Sequence, residues 1–385
     1  MGGGYVNTEL RQLTEKRIFD YTNYICLDDG ERPLYHLAER IINKKTLPLV
    51  RTFCISDNEI EYNHDAYLPD FQHSEIGTPS FEGLQLNKYL SLIEMVNPMH
   101  RLWSDGRWNK LQIAHGCYWG QCTFCDTSLD YIKRFSTASA KELCNRIENI
   151  ILQTGQTGFH FVDEAAPPRV LKELAIELIE REINISWWAN IRFEEYFDYD
   201  ICELLAASGC IAVSGGIEVA SPRILQLINK GVSLETLIKV TNNFSTNNIM
   251  VHGYLMYGFP SQTMQETIDS LEVVRQMFLN NCLHSAFWHQ FIMTIHSPVG
   301  KKPQQFGAIR LDNQLKAFAN NDLKHADETK IDHSIFSDGL KKALYNYMHN
   351  NGLDMALHEW FKFKIPPTTI PSKYVIKVLK QKKAT

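Results

Sequence analysis

Cys117, Cys122 and Cys125 fall within one short stretch, GCYWGQCTFCDTS (residues 116–128), separated by four residues and then by two. A thiolate is a soft, strongly donating ligand, so three on one loop point to a metal centre. Structural zinc asks for four closed ligands, usually two paired knuckles. A second C-x2-C is absent, and His115 lies too near Cys117 in sequence to complete a comfortable tetrahedron. The same spacing serves plant-type 2Fe–2S centres, which need a fourth, distant cysteine. Cys144, Cys202 or Cys210 would have to supply it. The third possibility is a 4Fe–4S cluster on three thiolates, whose fourth iron keeps an open position, as a catalytic zinc does.

The other six cysteines (Cys26, Cys54, Cys144, Cys202, Cys210 and Cys282) are scattered singly, and the total of nine is odd. That pattern argues against a disulfide framework, and each is expected to be a small buried apolar residue.

Elements able to position the trio recur from about residue 110 to 295. KLQIAHG is a strand candidate that runs into the cysteine loop, and SAKELCNRIENIILQTG has helical spacing with a glycine stop. The strand candidates GFHFVDE, INISWWANIR, CIAVSGGIE, IMVHGYLMYGFP and SAFWHQFIMTI follow, separated by amphipathic segments. Six strands alternating with helices predict parallel βα units, hence a doubly wound sheet or a barrel. Polar residues recur where strands end: His115, Asp163, Glu164, Arg192, Glu218 and Pro260. A barrel gathers such ends on one face, which favours an incomplete (β/α)6 TIM-like barrel, open on one side. Taken singly, an acid after a strand more often caps a helix and a lone arginine more often pairs at the surface. Trp187 and Trp188 are expected to pack, and His252 and His289 to be satisfied core histidines. Joint placement on one face is what gives the acids and Arg192 functional weight.

Three regions follow: residues 1–100 as a short N-terminal remnant and linker, 101–300 as the core barrel, and 301–385 as a C-terminal helical appendage. The last carries an apolar stripe through Leu340, Ala343, Leu344, Tyr347 and Met348. The basic tail KYVIKVLKQKK reads as a solvated or frayed end. A formal net charge of −5 without a basic stripe gives no reason to expect nucleic acid. No apolar stretch reaches the ~20 residues of a bilayer span, and the start has no hydrophobic signal region, so the expected compartment is the cytoplasm.

The cysteine loop, placed after a first barrel strand, resembles that of the radical S-adenosylmethionine (radical SAM) enzymes, whose usual spacing is x3 then x2 rather than x4 then x2. The resemblance implies that Cys117, Cys122 and Cys125 hold a 4Fe–4S cluster. Its open iron would chelate the amino and carboxylate groups of S-adenosylmethionine, with Phe124 packing near the adenine. FHFVDEAAPP stands where the family binds the methionine amino group, which implies that role for Asp163 or Glu164. WWANIR places Arg192 where the ribose or carboxylate is met. VSGGIEVASPRILQLINKG looks like a segment of the cobalamin-type and methylthiotransferase branches that turns Glu218 to the site. DDGERPLYHLAERI and YLPDF resemble the end of a cobalamin domain and its linker. Only about twenty residues precede them and no D-x-H-x-x-G motif occurs, so tight cobalamin binding is not expected on this chain.

The implied function is reductive cleavage of S-adenosylmethionine to a 5′-deoxyadenosyl radical that acts on a substrate the sequence does not identify. The implied partners are an electron donor such as a flavodoxin or ferredoxin and, in one alternative, a separate cobalamin-binding protein served by a methyltransferase-type partner. The other alternative is an iron–sulfur or zinc protein that does not use S-adenosylmethionine.

Overall fold

Each short apolar run between Asn109 and Gln290 forms a strand of one parallel sheet: β1 (Asn109–Leu111), β2 (Gly158–Phe161), β3 (Ser186–Ile191), β4 (Cys210–Glu218), β5 (Met250–Tyr257) and β6 (Ser285–Gln290). The computed structural model describes residues 1–64, 67–88, 108–311 and 316–381. Neighbours in the sheet follow chain order, and every neighbouring pair is parallel. That order results when each crossover returns on the same side with the same hand. The sheet stays open, with β1 and β6 as its edges.

The described residues form two compact units. The first comprises Met1–Ile76, His115–Thr137 and Ile292–Ala326; the second comprises Gly77–Ala114, Ala138–Phe291 and Asp327–Thr385. The expected boundary at residue 100 lies outside the described residues.

In the second unit the crossovers are α1 (Ala140–Thr154), α2 (Pro168–Glu180), α3 (Tyr199–Ala207), α4 (Pro222–Leu227), α5 (Leu234–Thr246) and α6 (Met264–Leu279). Local signals set their ends. Ser139 with Glu142, and Thr263 with Glu266, form capping boxes at α1 and α6. Gly209 makes the turn from α3 into β4 at φ 94°, where a Cβ would sit 2.0 Å from the Ile185 carbonyl oxygen. Alternation along the strands separates two faces. Val213, Ile217, Val251 and Leu255 are buried on one; there Gly215 abuts Phe193, whose ring meets Phe244 of α5. The opposite face carries Asn190, Ser214, His252, Tyr254, Ser285, Phe287 and His289, aligned by register.

The C-terminal stripe behaves as expected. Helix α7 (Ser337–Met348) buries Leu340, Ala343, Leu344 and Tyr347, and the Tyr347 hydroxyl accepts a hydrogen bond from the Trp360 indole at 3.0 Å. The tail departs from expectation. Tyr374–Lys380 is a helix, α8, with Val375 and Val378 buried and Tyr374 donating to Glu235 at 2.9 Å. Two valines three residues apart give this basic segment an apolar face, which holds it down. Residues 382–385 lie outside the described residues.

In the first unit, Val6, Leu10, Leu13, Ile18, Ile25, Leu27 and Phe53 form a small core, with Phe318 packed against it. The strand-like segment after residue 50 is a hairpin, Thr52–Ser56 with Glu59–Asn63. Its two-residue turn, Asp57–Asn58, has φ of 48° and 62°, matching the right-handed twist of the strands. The C-terminal appendage is thus not wholly helical: Asp322–Leu323 pairs antiparallel with Met293–Thr294 in this unit. No helix among the described residues is long and apolar enough to cross a membrane.

Replacing Leu340 by Ala should cost roughly 2–5 kcal/mol of unfolding free energy, read by chemical denaturation. A change within 0.5 kcal/mol, ordinary for a surface site, would show that α7 is not part of the core.

Candidate functional site

The cysteine loop, in the first unit, leaves and returns through a backbone clasp. The Cys117 N–H donates to the Ile132 carbonyl at 3.1 Å. Gly116, at φ 79°, lies so close to the Arg134 carbonyl oxygen that a Cβ would stand 1.9 Å from it. Only glycine fits there. Within the loop the Cys125 N–H donates to the Cys122 carbonyl at 3.3 Å and the Thr127 N–H to the Cys125 carbonyl at 2.8 Å, which curls the second half tightly. None of the three is in a disulfide; Cys122 is buried, and Cys117, Cys125 and Phe124 are half-buried.

The other cysteines offer no comparable donors. Burial pushes the thiols of Cys144 and Cys282 up to about 12, and raises Cys202 and Cys210 strongly too. These four stay protonated and inert. Cys26 and Cys54 are half-buried rather than buried, correcting the expectation for those two. Both lie in the small sheet, where Cys26 sits beside the Thr52 hydroxyl and Cys54 accepts from Asn63. The donor set of the loop, three cysteine sulfurs on one glycine-turned segment, fits a 4Fe–4S cluster with an open iron.

In the second unit the predicted residues sit at strand ends. The Asp163 carboxylate, after β2, accepts hydrogen bonds from the backbone N–H groups of Ile113 (3.1 and 3.2 Å) and Ala114 (2.7 Å). It therefore ties down the two residues that lead along the chain into the cysteine loop. Burial drives its carboxyl up to about 7, against the opposing pull of those amides. Glu164, next in sequence, is exposed. The Asp163 carbonyl accepts from Asn190 of β3 at 3.1 Å; Asn190 accepts from Ser214 of β4, and Tyr254 of β5 engages Ser214 in turn.

A second group surrounds Lys230. Its ammonium donates to Glu218 at 2.8 Å and its carbonyl accepts from Arg192 at 2.6 Å, while the Arg192 Nε donates to Glu194 at 2.6 Å. Glu218 reaches Lys230 because β4 is irregular. The register against β5 slips between Tyr254 and Leu255, and Glu218 takes φ 62°. Such a bulge turns a side chain away from its regular direction. The carboxylate then lies over Gly216, where any Cβ would collide at 1.8 Å. Thus Arg192 and Glu218 are brought together through Lys230, and Asp163 belongs to the neighbouring network. Arg192 is buried, not a surface ion-pair partner, because its polar groups are satisfied inside.

Trp187 and Trp188 pack in the core, and buried His252 bonds Ser285. His289 corrects the expectation of a core histidine: it is exposed on the polar face, in ring contact with Phe287 and Tyr254. Being on the edge strand leaves it uncovered. Sequence reasoning misses Lys230, Asn190 and Ser214. Lys230 carries a signal, since a lysine just before the helix-stopping glycine of INKG ends the segment that begins with Glu218.

Residues 111–274, from the end of β1 into α6, match the family model of the radical SAM superfamily. Among curated proteins, the chain is 26% identical over 206 residues to an uncharacterized methyltransferase of Pyrococcus horikoshii, covering 53% of this chain and 42% of that protein. It is 30% identical over 162 residues to the bacteriochlorophyllide d C-12(1)-methyltransferase of Chlorobaculum tepidum, covering 40% of this chain and 35% of that protein. The match therefore spans less than half the length of either relative. In fold the chain resembles OxsB, a cobalamin-dependent S-adenosylmethionine radical enzyme solved with aqua-cobalamin and S-adenosylmethionine bound. The TM-score is 0.65 at 14% identity, over 98% of this chain and 65% of that one. It also resembles the radical S-adenosylmethionine methyltransferase TsrM of Kitasatospora setae, at TM-score 0.58 and 15% identity over 84% and 68% of the two chains.

The raised Asp163 pKa gives stability a pH dependence of definite sign. Well below pH 4 the carboxyl is protonated folded and unfolded alike; as pH rises through 4 towards about 7 the unfolded chain ionises first and stability falls. Asp163→Asn keeps an acceptor oxygen but cannot ionise. Its stability relative to the wild type should grow between pH 4 and 7, by roughly 4 kcal/mol at most. Parallel denaturation curves across that range would contradict this role for the carboxylate.

Proposed function

We propose that this chain is a radical SAM enzyme with an incomplete (β/α)6 barrel, in which Cys117, Cys122 and Cys125 hold a 4Fe–4S cluster. The observation that carries the reading is the loop itself: three cysteines outside any disulfide on a glycine-clasped segment that follows, along the chain, the first strand of a sequentially ordered parallel sheet. A cluster held there would supply one-electron reduction of the sulfonium of S-adenosylmethionine, with the electron drawn from an external donor such as a flavodoxin or ferredoxin; methionine and a 5′-deoxyadenosyl radical able to abstract hydrogen from the substrate would result.

The protein's own groups bind and orient. Glu164, exposed at the end of β2, is the acid that meets the methionine amino group. Asp163 is occupied by the Ile113 and Ala114 amides and holds the loop's lead-in instead. Glu218, aimed by the bulge and held by Lys230, accepts hydrogen bonds from S-adenosylmethionine hydroxyls, and Arg192 fixes the Lys230 backbone. Phe124, between two of the thiols in sequence, packs against the adenine.

A second reading, radical methylation served by cobalamin on a separate protein, is favoured by likeness in fold to two proteins solved with cobalamin and by curated relatives named methyltransferases.

The test is product analysis. Protein reconstituted anaerobically and supplied with reductant should release 5′-deoxyadenosine, and Cys117→Ala, Cys122→Ala and Cys125→Ala should each reduce release to background. Release of S-adenosylhomocysteine as well would favour methylation, and a cluster-loaded protein that releases neither would refute the enzymatic reading. Glu218→Gln should weaken S-adenosylmethionine binding about tenfold, equivalent to roughly 1.4 kcal/mol, by equilibrium titration. Unchanged affinity would remove Glu218 from the site.

A further inference from the structure

The loop that carries the thiols is fastened by a residue outside the trio. The Arg134 N–H donates to the Asp130 carbonyl at 3.0 Å, and its own carbonyl faces Gly116 at the clasp. Its guanidinium spreads in three directions: from Nε to Asp130 Oδ1 at 3.1 Å, from Nη1 to the Phe71 carbonyl at 3.0 Å, and from Nη2 to Asp29. A further carboxylate, Asp70, stands 4.0 Å from Nε. Asp130 is bound on its other oxygen by His115 Nε2 at 2.9 Å, so one carboxylate joins the residue before Gly116 to the residue that ends the clasp. Despite burial, His115 and Arg134 hold that carboxyl below its ordinary value.

Asp29, His115 and Asp130 bring their donor atoms within 4.8 Å of one another, a grouping that could take a cation. Arg134 supplies positive charge there, with Asp29 almost fully buried beneath it. The N-terminal side is equally fixed. Arg51 donates to the Asp29 carbonyl at 2.8 Å and forms an ion pair with Asp70 at 2.6 Å. A second tie lies two residues further on, where Ser136 accepts the His73 N–H at 2.9 Å and donates to Gln72 at 3.1 Å. Asp29, Phe71, Gln72 and His73, in the region expected from sequence to be a remnant and linker, therefore grip the end of the cysteine loop.

We propose that Arg134 is a positioning residue for the metal cluster, clamping the ends of the three-thiol loop to Asp29 and Phe71 so that the sulfurs keep one spacing. The inference rests on the reading of the loop as the cluster holder. A planar fork with donors in fixed directions suits this role, and a lysine ammonium, a single point charge, does not. The charge matters as well. A cluster on thiolates is anionic, and a neutral group in place of Arg134 leaves the charges of Asp29 and Asp130 without their cation, which disfavours its reduction.

Arg134→Ala and Arg134→Lys test this in the full chain, beside the wild type, with far-UV circular dichroism confirming fold. The wild type should take up about four irons after anaerobic reconstitution. Folded Arg134→Ala should lose iron to a chelator at least tenfold faster, with a more negative midpoint potential and an altered EPR line shape. Arg134→Lys should recover the potential, which tracks charge, but not the slow iron release, which tracks the fork. Should Arg134→Ala fail to fold, Arg134→Lys decides alone: wild-type release rates overturn the proposal and faster release supports it. Variants that load and release iron like the wild type, with an unmoved potential, overturn the role of Arg134 and leave the cluster reading intact. A wild type that binds no iron refutes the cluster reading, and this proposal with it.

Discussion

Three sulfurs can share one metal cluster only if the short loop that carries them is denied other conformations. A nine-residue span with free backbone would otherwise relax at the expense of metal affinity, because fixing each residue costs on the order of 1–2 kcal/mol of conformational entropy. Here that cost falls on the folding of the first unit. The Cys117 amide is bonded across the clasp, Gly116 fits against a carbonyl where no other residue would, and the Cys122–Cys125 turn closes on itself. A preorganised loop then spends little of the metal's binding energy on ordering itself. The unit around it makes sense on the same ground. Its small apolar core and its hairpin hold Asp29, Asp70 and Phe71 where the end of the loop can be tied to them.

The second unit solves a different problem, that of presenting polar groups from a sheet whose other face is a hydrophobic core. Regular alternation supplies Asn190, Ser214, Tyr254 and His252, each bonded to a neighbour on the next strand, so burial leaves little polar capacity unmet. Regularity is then broken where β4 ends. The slipped register and left-handed backbone at Glu218 cost of order 1–3 kcal/mol, and the Lys230 ion pair offsets that strain. An observed backbone outlier of this kind is a stronger pointer to function than the presence of an acid at a strand end.

The six βα units are legible in the amino-acid sequence through period-2 and period-3.6 patterns with serine, threonine and glycine at helix ends, because those signals are local. The cysteine spacing is legible for the same reason. What escapes depends on contacts distant in sequence. Whether Asp163 or Glu164 faces solvent is decided by the amides of Ile113 and Ala114, fifty residues earlier in the chain. The bulge at Glu218 is a property of two strands together and leaves no mark in one. The packing of Phe318 on the N-terminal core joins opposite ends of the chain. The C-terminal helix is a different failure: Val375 and Val378 are visible in the sequence, but the lysines around them suggest a frayed end.

In a cubane held by three thiolates, one iron must be unlike the other three. Mössbauer spectroscopy of protein reconstituted with enriched iron measures this directly, before and after S-adenosylmethionine is added. The expected result is a cubane in which a single site changes its isomer shift and quadrupole splitting on addition, while the thiolate-bound sites stay as they were. Four sites indifferent to the nucleotide, a 2Fe–2S spectrum, or one zinc per chain in place of iron would contradict the assignment of Cys117, Cys122 and Cys125 as holders of an open cluster.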